Sequence, residues 1–142
     1  MIRMSETFAW TFPGGRLKRE IQSVTVADNT TKTITVTVPA GKLWRLLGVR
    51  MINPDNVSRT LKIYVYDEND NLLCILLERS GIGANSYIQW PCTLESSSIK
   101  ANPAIQLLKG GDYLKCIWAA GGASSGGTAS AGLIIEYLEL EQ

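Results

Sequence analysis

From Thr33 to Ile52 the chain reads TITVTVPAGKLWRLLGVRMI. Ile34, Val36 and Val38 alternate with Thr33, Thr35 and Thr37, the period of two that a half-buried strand requires. Pro39-Ala40-Gly41-Lys42 breaks this period with turn chemistry. A second strand restarts at once through Leu43, Trp44, Leu46, Leu47, Val49 and Met51. Two strands joined so tightly, with no helix between them, point to an all-β scaffold. The stretch builds a sheet and carries no reactive group.

The same punctuation recurs along the chain. Strands are predicted over 21–27, 33–38, 43–52, 60–67, 72–77, 87–92, 104–108, 113–119 and 133–140. Between them stand turn residues: Asp28-Asn29, Asn53-Pro54-Asp55-Asn56, Glu68-Asn69-Asp70-Asn71, Ser80-Gly81 and Gly110-Gly111-Asp112. Thr60 to Tyr66 alternates again, with Leu61, Ile63 and Val65 expected inward and Lys62, Tyr64 and Tyr66 outward. No segment sustains a helical period. Many short strands with turns at regular intervals predict a single antiparallel β-sandwich. About eight body strands favour a jelly-roll-like arrangement over an immunoglobulin-like one. Cys74, Trp90 and Cys116 occur in the immunoglobulin order, but over too short a span.

Two segments depart from this rhythm. Residues 1–15 carry Phe8, Trp10 and Phe12 on alternate positions and end in Pro13-Gly14-Gly15. They read either as a first strand of the same sheet or as an N-terminal arm that docks on a neighbouring subunit with aromatic anchors. The chain is accordingly divided into an arm, 1–15, and a β-sandwich domain, 16–142. Residues 119–132, AAGGASSGGTASAG, are all small and uncharged. They read as a flexible surface loop, or as one that orders when pressed against a partner.

A chain of 142 residues suits one domain with an adequate core. Net charge is +1, with 14 basic and 13 acidic residues, which argues against nucleic-acid binding by bulk electrostatics. The one basic cluster, Arg16, Lys18 and Arg19, reads as a solvated surface turn. Cys74, Cys92 and Cys116 lack paired or CxxC spacing and are expected to be free, buried thiols. The absence of an apolar leader in residues 1–13, or of any run approaching a membrane span, leads to the expectation of assembly in a cytoplasm and no membrane partner.

Candidate chemistry is sparse. The chain has no histidine, so Ser-His-Asp, Cys-His and His-based zinc sites are excluded. No Gly-rich phosphate loop is present. Asp67-Glu68-Asn69-Asp70-Asn71 offers oxygen ligands at alternate positions, but Leu72 stands where a calcium loop needs glycine, so an Asx-rich turn is expected. No carboxylate pair marks a hydrolase. Trp44, Trp90 and Trp118 lie in strand-like runs and are expected in the core, not on a sugar platform; Trp10 is the candidate interface anchor. No catalytic residue, metal or cofactor is expected.

Val38-Pro39-Ala40-Gly41-Lys42-Leu43-Trp44, Tyr66-Asp67 with Asn69-Asp70-Asn71, Tyr87-Ile88-Gln89-Trp90, Gly110-Gly111-Asp112-Tyr113 and the acidic Glu136–Glu141 occur in an order that resembles a group of small tailed-phage virion proteins. The resemblance covers roughly residues 30–140, on turn and core positions, and Asp70 stands where such proteins usually have glycine. It is similar to capsid decoration (cement) proteins and other minor virion components. It implies a self-associating β-sandwich, often a trimer, seated on a capsid lattice. The expectation is therefore a non-enzymatic virion structural protein on the capsid surface, with the major capsid protein as partner. The expected contact residues are Phe8, Trp10 and Phe12 in the arm and Gly121, Gly122, Gly126 and Gly127 in the small-residue loop. A phage tail or receptor-binding component with glycan affinity is the alternative.

Overall fold

A computed structural model describes residues 15–92, 99–102, 107–120 and 126–141. Ten strands follow one another there: β1 (Arg16–Val26), β2 (Lys32–Thr37), β3 (Lys42–Ile52), β4 (Arg59–Tyr66), β5 (Leu72–Ile82), β6 (Tyr87–Trp90), β7 (Ile99–Ala101), β8 (Leu107–Lys109), β9 (Tyr113–Trp118) and β10 (Gly127–Glu141). No described residue is helical. One sheet has the order β1-β10-β3-β6, with β8 also on β3; the other is β2-β9-β4-β5-β7.

Leaving aside the short β7 and β8, first strand pairs with last, second with next to last, and so inward: β1·β10, β2·β9, β3·β6 and β4·β5. Nested antiparallel pairing of this kind is a long hairpin of eight strands, and the ladders β10·β3 and β9·β4 roll it up. The result is the expected jelly-roll sandwich. Alternate positions of both sheets close the core, among them Leu61, Ile63 and Val65 of β4 and Leu133 and Ile135 of β10. Trp44, Trp90 and Trp118 are buried, and each indole N–H has an acceptor: Glu139 Oε2, the Asn102 carbonyl and the Ile52 carbonyl. A buried indole keeps its apolar body in the core only when its N–H is satisfied in this way.

Several sequence expectations need correction. Arg16, Lys18 and Arg19 do not form a surface turn but open β1, because β10 supplies carboxylates opposite them: Lys18 Nζ lies 2.8 Å from Glu139 and Arg19 Nη2 2.7 Å from Glu136. Ser80-Gly81 does not end a strand. β5 runs through it to Ile82, with Ser80 and Gly81 together opposing Thr60 in a bulge, and the positive φ of Gly81 lets the chain continue. Strand β7 has no counterpart in the sequence reading; three residues are too few for a periodic signal. Half of the small-residue run is strand, since Gly127–Gly132 opens β10 and pairs with the second half of β1. Only Cys116 of the three free thiols is fully buried; Cys74 and Cys92 are half-buried. Burial pushes the Cys116 thiol up to about 12, so it is inert.

Candidate interaction surfaces

The four loops β1–β2, β3–β4, β5–β6 and β9–β10 meet at one end of the sandwich around Arg59, the first residue of β4. Its side chain and that of Asp55 are both fully buried, with Nε 2.8 Å from Asp55 Oδ2. The rest of the guanidinium donates to the carbonyls of Ala27 at 2.9 Å, Thr30 at 2.7 Å and Ala119 at 3.3 Å. Asn53 adds donations from Nδ2 to the carbonyls of Val57 and Ile82, both at 2.8 Å, and its Oδ1 accepts the Asp55 N–H. The planar five-donor fork of arginine suits it to span several carbonyls at once. This polar lock fixes the roots of all four loops.

Gly126 and Gly127 lie at the same end. A Cβ on Gly126 would stand 2.5 Å from the Val26 carbonyl oxygen, and one on Gly127 2.0 Å from that of Pro54. The close approach expected of this segment is therefore made at these two positions against the chain's own backbone. Gly121 and Gly122, like Phe8, Trp10 and Phe12, lie outside the described residues.

The outer face of the β1-β10-β3 sheet carries exposed apolar side chains, among them Leu17, Ile21 and Leu107. Strand register sets Leu17, Leu138, Arg45 and Leu107 in one row across β1, β10, β3 and β8. Leu17 is 65% and Leu107 62% exposed, whereas Leu138 is 1% exposed although it belongs to no part of the central core. A parallel row runs through Ile21, Ile134, Arg50 and Gln89, with the Arg50 guanidinium 4.0 Å from the Tyr87 ring centroid. The Arg19–Glu136 pair lies between the two rows. The inner side of the same strands ends in a polar cleft of about 250 Å³ lined by Arg16, Lys18, Lys42, Glu139, Leu140 and Glu141. There Lys18 and the Trp44 N–H hold the Glu139 carboxyl below its ordinary range, and Trp44 stacks on Tyr137 at 3.8 Å.

The outer face of the other sheet is different in kind. Its rows are Thr37–Tyr113–Tyr66–Leu72, Thr35–Lys115–Tyr64–Ile75 and Thr33–Ile117–Lys62–Glu78. Tyr66 and Tyr113 stack with centroids 5.2 Å apart and planes at 10°, and the Lys115 ammonium lies 5.5 Å from the Tyr66 centroid. Tyr113 donates to Asp70 Oδ1 at 2.7 Å, which pushes its phenol up to about 12. Tyr64, half-buried, donates to Glu78, and burial followed by that bond raises its phenol as well. The Tyr64 and Tyr113 phenols are thus neutral hydroxyls at ordinary pH.

In the Asp67–Asn71 turn the Asp67 carboxylate bonds within the turn itself. Asp67 Oδ1 accepts the backbone N–H groups of Asn69 and Asn71 at 2.8 and 2.9 Å, and Oδ2 accepts Asn71 Nδ2. Donation from Asn71, backbone first, holds the Asp67 carboxyl below its ordinary value. The sequence reading missed both the buried lock and the leucine row. Arg59 was legible only as a charge at a strand start, and Leu17 lay outside every predicted strand. The tyrosine face was half legible, since the alternation in β4 places Tyr64 and Tyr66 outward.

No family model matches the chain, and no curated protein matches it. Among solved structures it is similar to a chain of "Structure of infectious bursal disease virus Gx strain", at 12% identity and a TM-score of 0.33. The match covers 89% of this chain and 36% of that one. A likeness at this level concerns β architecture and carries no functional weight.

Proposed function

We propose that this is a non-enzymatic virion structural protein that decorates and stabilises a phage capsid, bound to the major capsid protein as a homotrimer through shape-matched contacts. The observation that carries the reading is the leucine row on the outer face of β1, β10, β3 and β8. Large apolar side chains exposed on the solvent side of one sheet, here Leu17, Ile21 and Leu107, favour a macromolecular contact. The near-neutral charge suits association by shape rather than by field, and the lock at Arg59 supplies a rigid body to present that face. The resemblance of Val38–Trp44 and the later turns to tailed-phage virion proteins gives the partner. Phe8, Trp10 and Phe12, with Gly121 and Gly122, add anchors. Each contact is modest, and avidity across a trimer multiplies them.

The test is occupancy on purified capsids lacking the protein. The double variant Leu17→Asp, Leu107→Asp should keep its fold, because both side chains are exposed, and lose capsid occupancy by at least tenfold. Full occupancy by that variant overturns the reading. Sedimentation of the isolated protein checks the trimer, and electron microscopy of the virion its location.

The stacked Tyr66–Tyr113 pair, flanked by Asp70, Lys115 and Glu78, favours a second reading: a tail or receptor-binding component with glycan affinity. Flat ring faces beside fixed hydroxyls and carboxylates are what a sugar needs for stacking and hydrogen bonding. Saturable changes in the tyrosine signals on glycan titration, abolished by Tyr66→Ala, would select it.

A further inference from the structure

Among the described residues β1, β6 and β8 border one sheet, and β2 and β7 border the other. An open edge presents a row of unpaired N–H and C=O groups, and native proteins blunt it with charge, proline, bulges or brevity. β1 carries Arg16, Lys18, Arg19 and Glu20, and a bulge between Gln22 and Val24. β6, β7 and β8 are four, three and three residues long. β2 has none of these devices. Its six residues, KTITVT, hold one charge, at the end, and pair with β9 in unbroken register from Lys32–Trp118 to Thr37–Tyr113. No charged residue follows Lys32 before Lys42.

The ladder fixes which groups are open. Val38 N–H donates to the Asp112 carbonyl at 2.9 Å, just beyond the end of the β2·β9 pair. Bonded and open positions alternate along an antiparallel strand, so Ile34 and Val36 also bond to β9. The N–H and C=O of Thr33, Thr35 and Thr37 then point away from the sheet. The same three side chains are exposed on the outer face, while Val36 is buried and Ile34 only half-buried. Residue type is symmetric about Thr35, with threonine and β-branched aliphatic alternating on both sides.

We infer that this edge pairs with β2 of a second copy of the chain, antiparallel, about a two-fold axis at Thr35. Thr35 then stands opposite its own counterpart and Thr33 opposite Thr37, and each of these pairs exchanges both its bonds. A shift of one residue sets open groups against groups already spent on β9. A shift of two brings in Pro39, which has no N–H, or Thr31, which precedes the strand. On the outer face threonine meets threonine, a favourable cross-strand pair. On the inner face Val36 of one copy covers the half-buried Ile34 of the other. The two Lys32 side chains lie at opposite ends, so like charges stay apart. A single strand pair buries less than the ~1,200 Å² of a standard interface, which makes the contact weak in the isolated protein. The inference stands apart from the capsid reading, because β2 belongs to the sheet without the leucine row. A two-fold also joins copies that a three-fold ring does not.

Charge reversal across the axis tests it. Thr33→Lys, Thr37→Lys sets lysine against lysine at two places, and Thr33→Glu, Thr37→Lys sets glutamate against lysine at the same two places. Both variants alter only exposed side chains. Sedimentation equilibrium of the full chain between about 10 μM and 1 mM should show the assembly, monomer or trimer, doubling in mass. The double lysine variant weakens that doubling by about tenfold or more, equivalent to ~1.4 kcal/mol, and the glutamate–lysine variant restores it. Amide exchange at Thr33, Thr35 and Thr37 slows as concentration rises over the same range. Leu17→Asp, Leu107→Asp leaves the doubling unchanged. A glutamate–lysine variant as weak as the double lysine one overturns the inference, as does a wild-type protein that never doubles. Protection of these amides that ignores concentration also overturns it, by assigning the cover to the chain itself. So does doubling that the leucine-row variant abolishes, which moves the contact to the other sheet.

Discussion

The two ends of the sandwich tie their loops together with the same chemical device under opposite conditions. At one end the Asp55 carboxylate is fully buried against Arg59, and the guanidinium reaches three carbonyls of two other loops. At the other, Asp67 caps its own turn from an exposed position. Next to it Asp112 accepts the Lys109 N–H, and Gly111 N–H and the Asp112 carbonyl bond back to Val38. The first end is a cross-loop network in low dielectric, where a broken bond leaves an unsolvated charge. The second is a set of local turns: at exposed Asp67 a broken bond is replaced by solvent, while Asp112 beside it is buried. One end of the molecule is therefore held by a buried cross-loop network, and the exposed Asp67 turn at the other is held by bonds within itself. The Tyr66–Tyr113 stack belongs to that second end.

The comparison breaks most readily at Arg59. Arg59→Met takes the guanidinium away from the buried Asp55 charge and from three carbonyls and should cost about 3–5 kcal/mol in urea unfolding. A loss under about 1 kcal/mol would mean that the lock does not hold the loops. The glycines give a smaller contrast between the same two ends. Gly127→Ala drives a Cβ into the Pro54 carbonyl and should cost about 1–3 kcal/mol or more. Gly41→Ala, in the β2–β3 turn at the exposed end, meets open space and should cost only the strain of its positive φ, about 1–2 kcal/mol. Thermal unfolding of the pair ranks them.

pH sharpens the exposed end from both sides. The folded state favours the protonated Tyr113 phenol, whose ordinary value is 10, up to about 12. Its contribution is complete below pH 10 and fades as pH rises from 10 to 12. Asp70→Ala should bring the Tyr113 absorbance titration back toward 10 and flatten stability over that window. Asp67 has the opposite sign. Its folded value lies below the ordinary 3.8, so its contribution is present above that pH and is lost as pH falls through the folded value. Asp67→Asn should remove that acid-side dependence while changing stability at neutral pH least of all these variants.

How far the sequence reached depended on whether a feature was periodic. Ile34, Val36 and Val38, or Leu61, Ile63 and Val65, declare their faces by alternation alone, because a strand's side chains alternate whatever else surrounds it. The three core tryptophans followed from the same patterns. The jelly-roll-like class followed from counting strands and turns. Features that depend on what stands opposite were not legible. Arg16, Lys18 and Arg19 read as a turn because Glu136 and Glu139, which make them a strand, lie more than a hundred residues away. Gly126 and Gly127 read as a loop because Val26 and Pro54, which they touch, belong to other segments.

By itself, then, the sequence determined an all-β sandwich, its turns, its inward positions and the exclusion of histidine chemistry, all of which follow from local period and residue type. Only the tertiary structure decided which strands are edges, that Arg59 is the buried centre of four loops, and that Leu17, Leu138, Arg45 and Leu107 form one row. Those properties arise from antiparallel register between distant segments, and register is set by the packing of the whole core rather than by any one strand.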